Sequence, residues 1–232
     1  MAHEHLTPET LSGGATLKAD RSAFLRKTYM HLFGAVLAFV GLEAWLFESG
    51  LALSIAAFMF KLPWLAILGA FIVASMVASH VAHRVRSRGA QYAALGGFVV
   101  AEALIFVPIL FTAFSRSPEI VSSAASYTII AFAGLTAVAI MSGRDFSFLR
   151  GLVMWGGIVA ICTIVLGLII GYQLGTWFSM AMIGLAGAAI LYDTSRVLTD
   201  FPEDRYVAAS LELFASVAMM FWYVLRLFMG RE

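Results

Sequence analysis

The sequence predicts an all-α integral membrane protein, a bundle of seven transmembrane helices with its N-terminus in the cytoplasm, and three observations lead there. Hydrophobic residues make up 61% of the 232 and charged residues 12%, with a mean hydropathy of +0.90; ordinary soluble domains have about 45–50% and about 25%. A hydrocarbon core of about 30 Å needs ~20 residues of helix. Seven windows meet that length, at 29–47, 62–82, 92–114, 120–142, 151–171, 177–197 and 206–228. The basic residues are also unevenly divided between the two sides. With the N-terminus inside, Lys18, Arg21, Arg26, Lys27, Arg84, Arg86, Arg88, Arg144, Arg150, Arg196 and Arg205 lie on the cytoplasmic side, 11 of the 15 Lys and Arg. Lys61, Arg116, Arg226 and Arg231 remain outside, which is the bias of a positive-inside topology.

Taken in order, residues 1–21 are polar, contain Gly13-Gly14 and read as a mobile N-terminal arm. No apolar core followed by a small-residue cleavage site precedes the first span, so they do not read as a secretory signal. Residues 22–232 form one membrane domain. The stretch 51–60 is apolar but too short to cross, and reads as an interfacial piece or an extension of the first hairpin. The breaks between windows carry turn and charge signals: Glu48-Ser49-Gly50, the basic run from His83 to Gly89, Ser117-Pro118, Gly143-Arg144-Asp145, Gly175-Thr176, and Asp200 to Arg205. All are short and none holds a soluble domain. Strands of a transmembrane barrel would alternate polar and apolar residues, and these windows do not.

Several function classes fall away on composition. A net charge of +1 supplies no basic face for nucleic acid. The single cysteine, Cys162, forms no internal disulfide and builds no thiolate zinc site. No His-Glu-x-x-His, Gly-x-Ser-x-Gly or Walker A pattern occurs, so the chain does not read as an enzyme and calls for no cofactor.

Ionisable groups inside the windows are the functional candidates, because each costs about 2.5–3.5 kcal/mol on insertion scales. Arg226 lies near the end of its window and reads as snorkelling. Glu43, near the outer end of the first span, reads as solvated or interfacial, and His31, near its inner end, as a hydrogen-bonded packing residue. Glu102 is about ten residues into its window, ~15 Å deep, and so must face a polar partner or a water-filled cavity, or be protonated. Asp193 and Glu212 stand at matching depth on the sixth and seventh spans, which a short connection makes antiparallel neighbours. Two carboxylates so placed can share a proton. Arg196, three residues after Asp193, is an alternative partner for it. Gly167-x-x-x-Gly171 and the small residues between Gly184 and Ile190 permit close helix contact.

Several segments together resemble one family. The last span, YVAASLELFASVAMMFWYVLRLF over Tyr206 to Phe228, is similar to the closing helix of the Bax inhibitor-1 (TMBIM) family. So are Ile190-Leu191-Tyr192-Asp193-Thr194-Ser195, Gly143-Arg144-Asp145-Phe146-Ser147-Phe148-Leu149 and Val107-Pro108-Ile109-Leu110. Phe24-Leu25-Arg26-Lys27-Thr28-Tyr29 resembles the start of the bacterial YccA-like members. The likeness covers about residues 22–230. It implies a seven-helix bundle of the Bax inhibitor-1 type in the bacterial inner membrane and, in the bacterial members best understood, a pH-sensitive calcium leak. In those members two aspartates on the last two helices share a proton and an arginine latches the closed state. The first aspartate maps onto Asp193. The second maps onto Ser216, a departure from the family pattern, with Glu212 one helical turn earlier as a substitute acid. The latch arginine maps to Arg84 or Arg86.

The function expected from these residues is a passive cation leak, calcium being the permeant ion, gated by protonation near Asp193. Asp193, Glu212 and Ser216 would provide part of a transient calcium shell, and Glu102 would border the pathway. The alternative implied by the YccA-like members is a non-conducting regulator that binds a membrane protease such as FtsH. The topology is open to direct test. In a background lacking Cys162, a single cysteine at residue 232 should react with an impermeant reagent in intact cells, and its protection would contradict the predicted orientation.

Overall fold

The computed structural model describes residues 8–85 and 87–230, with side chains from residue 20 onward. Its elements are α1 (Pro8–Glu48), α2 (Leu51–Met59), α3 (Trp64–Arg84), α4 (Arg88–Arg116), α5 (Pro118–Ser142), α6 (Leu149–Ile170), α7 (Thr176–Thr199) and α8 (Tyr206–Met229). Among the described residues there is no strand. Seven helices among the described residues are long and apolar enough to cross a membrane: the Asp20–Glu48 part of α1, then α3 to α8. The chain is therefore an all-helical, multi-pass bundle.

Local chemistry sets the element boundaries. Residues 8–21 of the expected arm are helical and continuous with the first span, while residues 1–7 lie outside the described residues. Positive-φ glycines end three helices: Gly50 at φ 77° turns α1 into α2, Gly143 at φ 59° closes α5 and Gly171 at φ 76° closes α6. Ser117 caps α5 by accepting from the Glu119 N–H, with Pro118 in the first turn. Asp145 accepts from both the N–H and the hydroxyl of Ser147 at 2.8 Å. Those bonds hold its carboxyl below the usual carboxylate range. The short apolar stretch is the helix α2, whose Ala52 and Ala56 pack with Leu46 and Val107.

The core lies around α8, which packs against α1, α3, α4, α5 and α7. α4 and α8 are the most buried spans, whereas α3, α5 and α6 turn most of their apolar surface outward, the surface a bilayer covers. Rings run along α8: Phe98 and Phe39 meet Phe214 edge-on, and Phe106 stacks on Phe221 and meets Trp222 edge-on. Of the small residues between Gly184 and Ile190, Gly187 faces two neighbouring helices. A Cβ there would meet Leu135 of α5 at 3.4 Å and Met220 of α8 at 3.8 Å. The Gly167-x-x-x-Gly171 spacing serves a different end from the one expected. Gly167 accepts from the Tyr172 N–H at 2.8 Å, so the pair closes α6 rather than joining two helices.

Arginines cap helix C-termini, where unpaired carbonyls and the negative end of the dipole collect. Arg21 donates to Val197 and Phe201 at 2.6 Å and to Leu198 at 3.0 Å, tying the start of the first span to the end of α7. Arg205 donates to Val85 just past α3 at 2.9 Å, and Arg116 to Met229 at the end of α8 at 2.7 Å. Arg226 reaches the Leu174 carbonyl in the α6–α7 connection at 2.9 Å. These bonds clamp both ends of the α7–α8 pair, and the polar interior of the bundle lies between them.

Candidate functional site

The site is built on two rungs between the antiparallel helices α7 and α8. On the inner rung the Ser216 hydroxyl donates to Asp193 Oδ2 at 2.6 Å. Asp193 is 9% exposed. A hydroxyl at that distance accounts for one carboxyl oxygen and brings no countercharge. On the outer rung, one helical turn closer to the end of the bundle where α7 finishes, Arg196 Nη1 donates to Glu212 Oε2 at 2.9 Å. Glu212 Oε1 stands 2.8 Å from His83 Nε2 in the last turn of α3. The Arg196 guanidinium also lies over the rings of Tyr192 at 5.4 Å and Phe201 at 4.9 Å, and the His83 ring is 5.9 Å from Phe201. Glu212 thus joins α3, α7 and α8 through two basic groups at once.

This pairing settles which acid Arg196 serves. Sequence spacing offered Asp193 three residues away, but the guanidinium turns across to the neighbouring helix and pairs with Glu212. It stays within electrostatic reach of Asp193. Helix geometry explains the choice. The antiparallel register puts Glu212 directly opposite Arg196, and the resulting bond is a charge-assisted one on a surface shielded by aromatic rings. The possible latch at Arg84 is exposed and takes part in no ion pair among the described residues, while Arg86 lies outside the described residues. His83, next to Arg84, makes the contact instead. Its place in a basic helix end, His83-Arg84, was the available signal, but nothing in the sequence pairs it with Glu212 on a distant helix.

Two further acids are buried inside the bundle. Glu102, in the middle of α4, is 6% exposed, and no hydrogen bond or ion pair reaches it among the described residues. Glu43 is 7% exposed, and both its carboxylate oxygens lack a hydrogen-bond partner, so it is not the solvated group its position near a window end suggested. The reason is that α2 and the outer half of α4 cover the end of α1. Ring contacts fix the levels. Phe39 meets Phe214, so Glu43, four residues on, is level with Ala218. Phe98 meets Phe214 and Phe106 meets Trp222, so Glu102, midway between them, is level with Ala218 too. Ser216 and its partner Asp193 are two residues away, about 3 Å of rise. Three carboxyls from α1, α4 and α7 therefore occupy one thin slab around α8.

Chemically, the slab offers oxygen ligands without a built metal cage, since no three metal-ligating side chains converge among the described residues. Calcium wants six to eight oxygens. Asp193 and Ser216 supply only a few of these. His31 packs as the sequence suggested, hydrogen-bonded to the Lys27 carbonyl at 2.7 Å and to the Tyr92 hydroxyl at 2.9 Å.

A family profile described as the inhibitor of apoptosis-promoting Bax1 matches residues 21–232. An uncharacterised membrane protein of Vibrio cholerae is 27% identical over 112 residues, covering 48% of this chain and 50% of that protein. An uncharacterised protein of Pseudomonas aeruginosa is 30% identical over 113 residues, covering 47% of this chain and 50% of that protein. The chain spans about half the length of the curated relatives it matches.

The inner rung makes a separable prediction. Ser216→Ala removes the only donor that reaches Asp193 among the described residues, and should cost about 1–3 kcal/mol of stability as a buried hydrogen bond broken on one side. Asp193→Asn keeps an acceptor for the hydroxyl and should cost less. In a double-mutant cycle followed by thermal unfolding, the two changes should be non-additive; simple additivity would contradict the pairing.

Proposed function

We propose, on the premise that this chain belongs to the Bax inhibitor-1 family, that it is a passive, pH-dependent cation leak of the bacterial inner membrane, with calcium as the permeant ion. The observation that carries this reading is the slab of three buried carboxyls. Acids at mid-bilayer are expensive, and a bundle that keeps Asp193, Glu102 and Glu43 at one level has a use for negative charge there. Packing alone would be served as well by leucine.

The outer rung acts as the gate in this reading. Arg196, Glu212 and His83 bind α3, α7 and α8 together between the slab and the basic end of the bundle. While Asp193 is neutral, Ser216 satisfies it and the outer rung is undisturbed. When Asp193 ionises, an uncompensated charge appears one turn from Arg196. Two responses relieve it: the guanidinium leaves Glu212 for Asp193, or water and a cation enter beside the carboxylate. Both loosen the closure, so the leak rises with pH. The Ser216 departure fits this scheme because it leaves Asp193 as the titrating group of the inner rung, with Glu212 committed to the latch.

The test is calcium flux into liposomes holding the purified protein, measured across pH. Wild type should conduct more as pH rises. Asp193→Asn, which keeps the shape and cannot ionise, should stay closed with a flat profile. Arg196→Gln should conduct at every pH, roughly tenfold above the closed level if the pair contributes about 1.4 kcal/mol to closure. A wild type that passes no calcium at any pH would overturn the leak and leave the acids a structural role in a regulator that binds a membrane partner.

A further inference from the structure

A groove of about 660 Å³ runs along the outside of the bundle between α1 and α4, from His31 and Tyr92 at one end to Leu42 and Val100 at the other. Gly34 and Ala38 of α1 and Leu95, Gly96 and Val100 of α4 form its walls, and all but its lower end is apolar. A Cβ built on Gly34 or Gly96 would meet no atom within 4 Å, so the slot is open and the protein itself leaves it unfilled. In a multi-pass protein whose outer surface faces hydrocarbon, an open apolar slot of this kind is filled by a lipid chain, because leaving it empty forfeits dispersion contacts on both walls.

The lower end is polar and already satisfied. His31 Nδ1 donates to the Lys27 carbonyl, which makes Nε2 the acceptor for the Tyr92 hydroxyl, and the Tyr206 hydroxyl lies 3.4 Å behind Tyr92. Two cations stand over this floor. Lys27 is one turn before His31, with its ammonium 5.5 Å from the centre of the Tyr206 ring. Arg88 is one turn before Tyr92 and within electrostatic reach of it. Both side chains are exposed and neither forms an ion pair among the described residues. A slot shaped for an acyl chain thus opens at its end onto two cations that form no ion pair among the described residues.

We infer that this groove is a binding site for an anionic phospholipid, with one acyl chain between Gly34 and Gly96 and the phosphate between Lys27 and Arg88. Charge complementarity selects the headgroup: a zwitterionic lipid offers the same chain but no net negative charge to the two cations. The site joins the first and third spans, and its floor touches Tyr206 at the start of α8, so bound lipid braces the helix at the centre of the bundle.

Native mass spectrometry of the full chain in mild detergent tests this, titrating phosphatidylglycerol against phosphatidylcholine of identical chains. Wild type should retain one phosphatidylglycerol with a preference of roughly tenfold or more, the order expected of two basic residues at a membrane surface. Lys27→Gln with Arg88→Gln should abolish the preference. Gly34→Leu with Gly96→Leu, which fills the slot, should abolish retention of both lipids. Equal retention of the two lipids by wild type would overturn the proposal, as would phosphatidylglycerol retention that survives the filled groove. If the filled variant does not fold, the charge variant decides alone, since both of its residues are exposed, and an unchanged preference there would overturn the proposal equally.

Discussion

The structure depends on the need to keep polar groups of α7 and α8 inside a bundle whose outside must be apolar. A carboxyl or guanidinium at this depth has no bulk water to fall back on, so its charged form is costly unless a neighbouring helix supplies a partner. Glu212 finds two, and by doing so it determines how α3, α7 and α8 sit together. Asp193 finds only a hydroxyl, while Glu102 and Glu43 find no hydrogen-bonding group among the described residues. The bundle therefore contains one cluster in which an acid meets two basic groups, and a level of under-partnered acid, and the gating scheme rests on the contrast between them.

The clamps at the helix ends give that contrast mechanical meaning. Arg21 and Arg205 bind the two sides of the α7–α8 connection to α1 and α3, and Arg116 and Arg226 do the same at the other end. With both ends held, movement of α7 against α8 is confined to their middle. Aromatic contacts between α4 and α8 resist sliding there. What can change cheaply is the set of side-chain pairings on the two rungs, and a swing of Arg196 between Glu212 and Asp193 is the smallest such change.

The spans were legible in the sequence because a bilayer demands a length and a composition that no other environment does. The seven windows follow from that demand alone, as does the reading that residues 51–60 are too short to cross. The antiparallel pairing of α7 and α8 was legible, because a short connection joins them. The matching depth expected of Asp193 and Glu212 is corrected by the structure: Asp193 stands opposite Ser216, and Glu212 lies one turn closer to the end of α7, opposite Arg196. Arg196 reaches either acid by spacing, and the register of the two helices, which window counting misplaced by a turn, selects Glu212. Glu43 was misjudged because depth counted from the end of a window ignores what folds back over that end, here α2. His83 was missed because its partner is on a helix distant in sequence. Gly167 and Gly171 have the spacing of a packing motif, yet the positive φ of Gly171 makes them a helix end.

The central claim is that one carboxyl, Asp193, sets the conducting state. Infrared difference spectroscopy of the protein in lipid vesicles resolves the protonated carboxyl band of Asp193 as the signal lost in Asp193→Asn. Followed across pH beside calcium flux from the same vesicles, that band should disappear with the midpoint at which flux appears. A band that titrates well away from the flux midpoint, or flux that turns on while the Asp193 carboxyl stays protonated, would contradict the account.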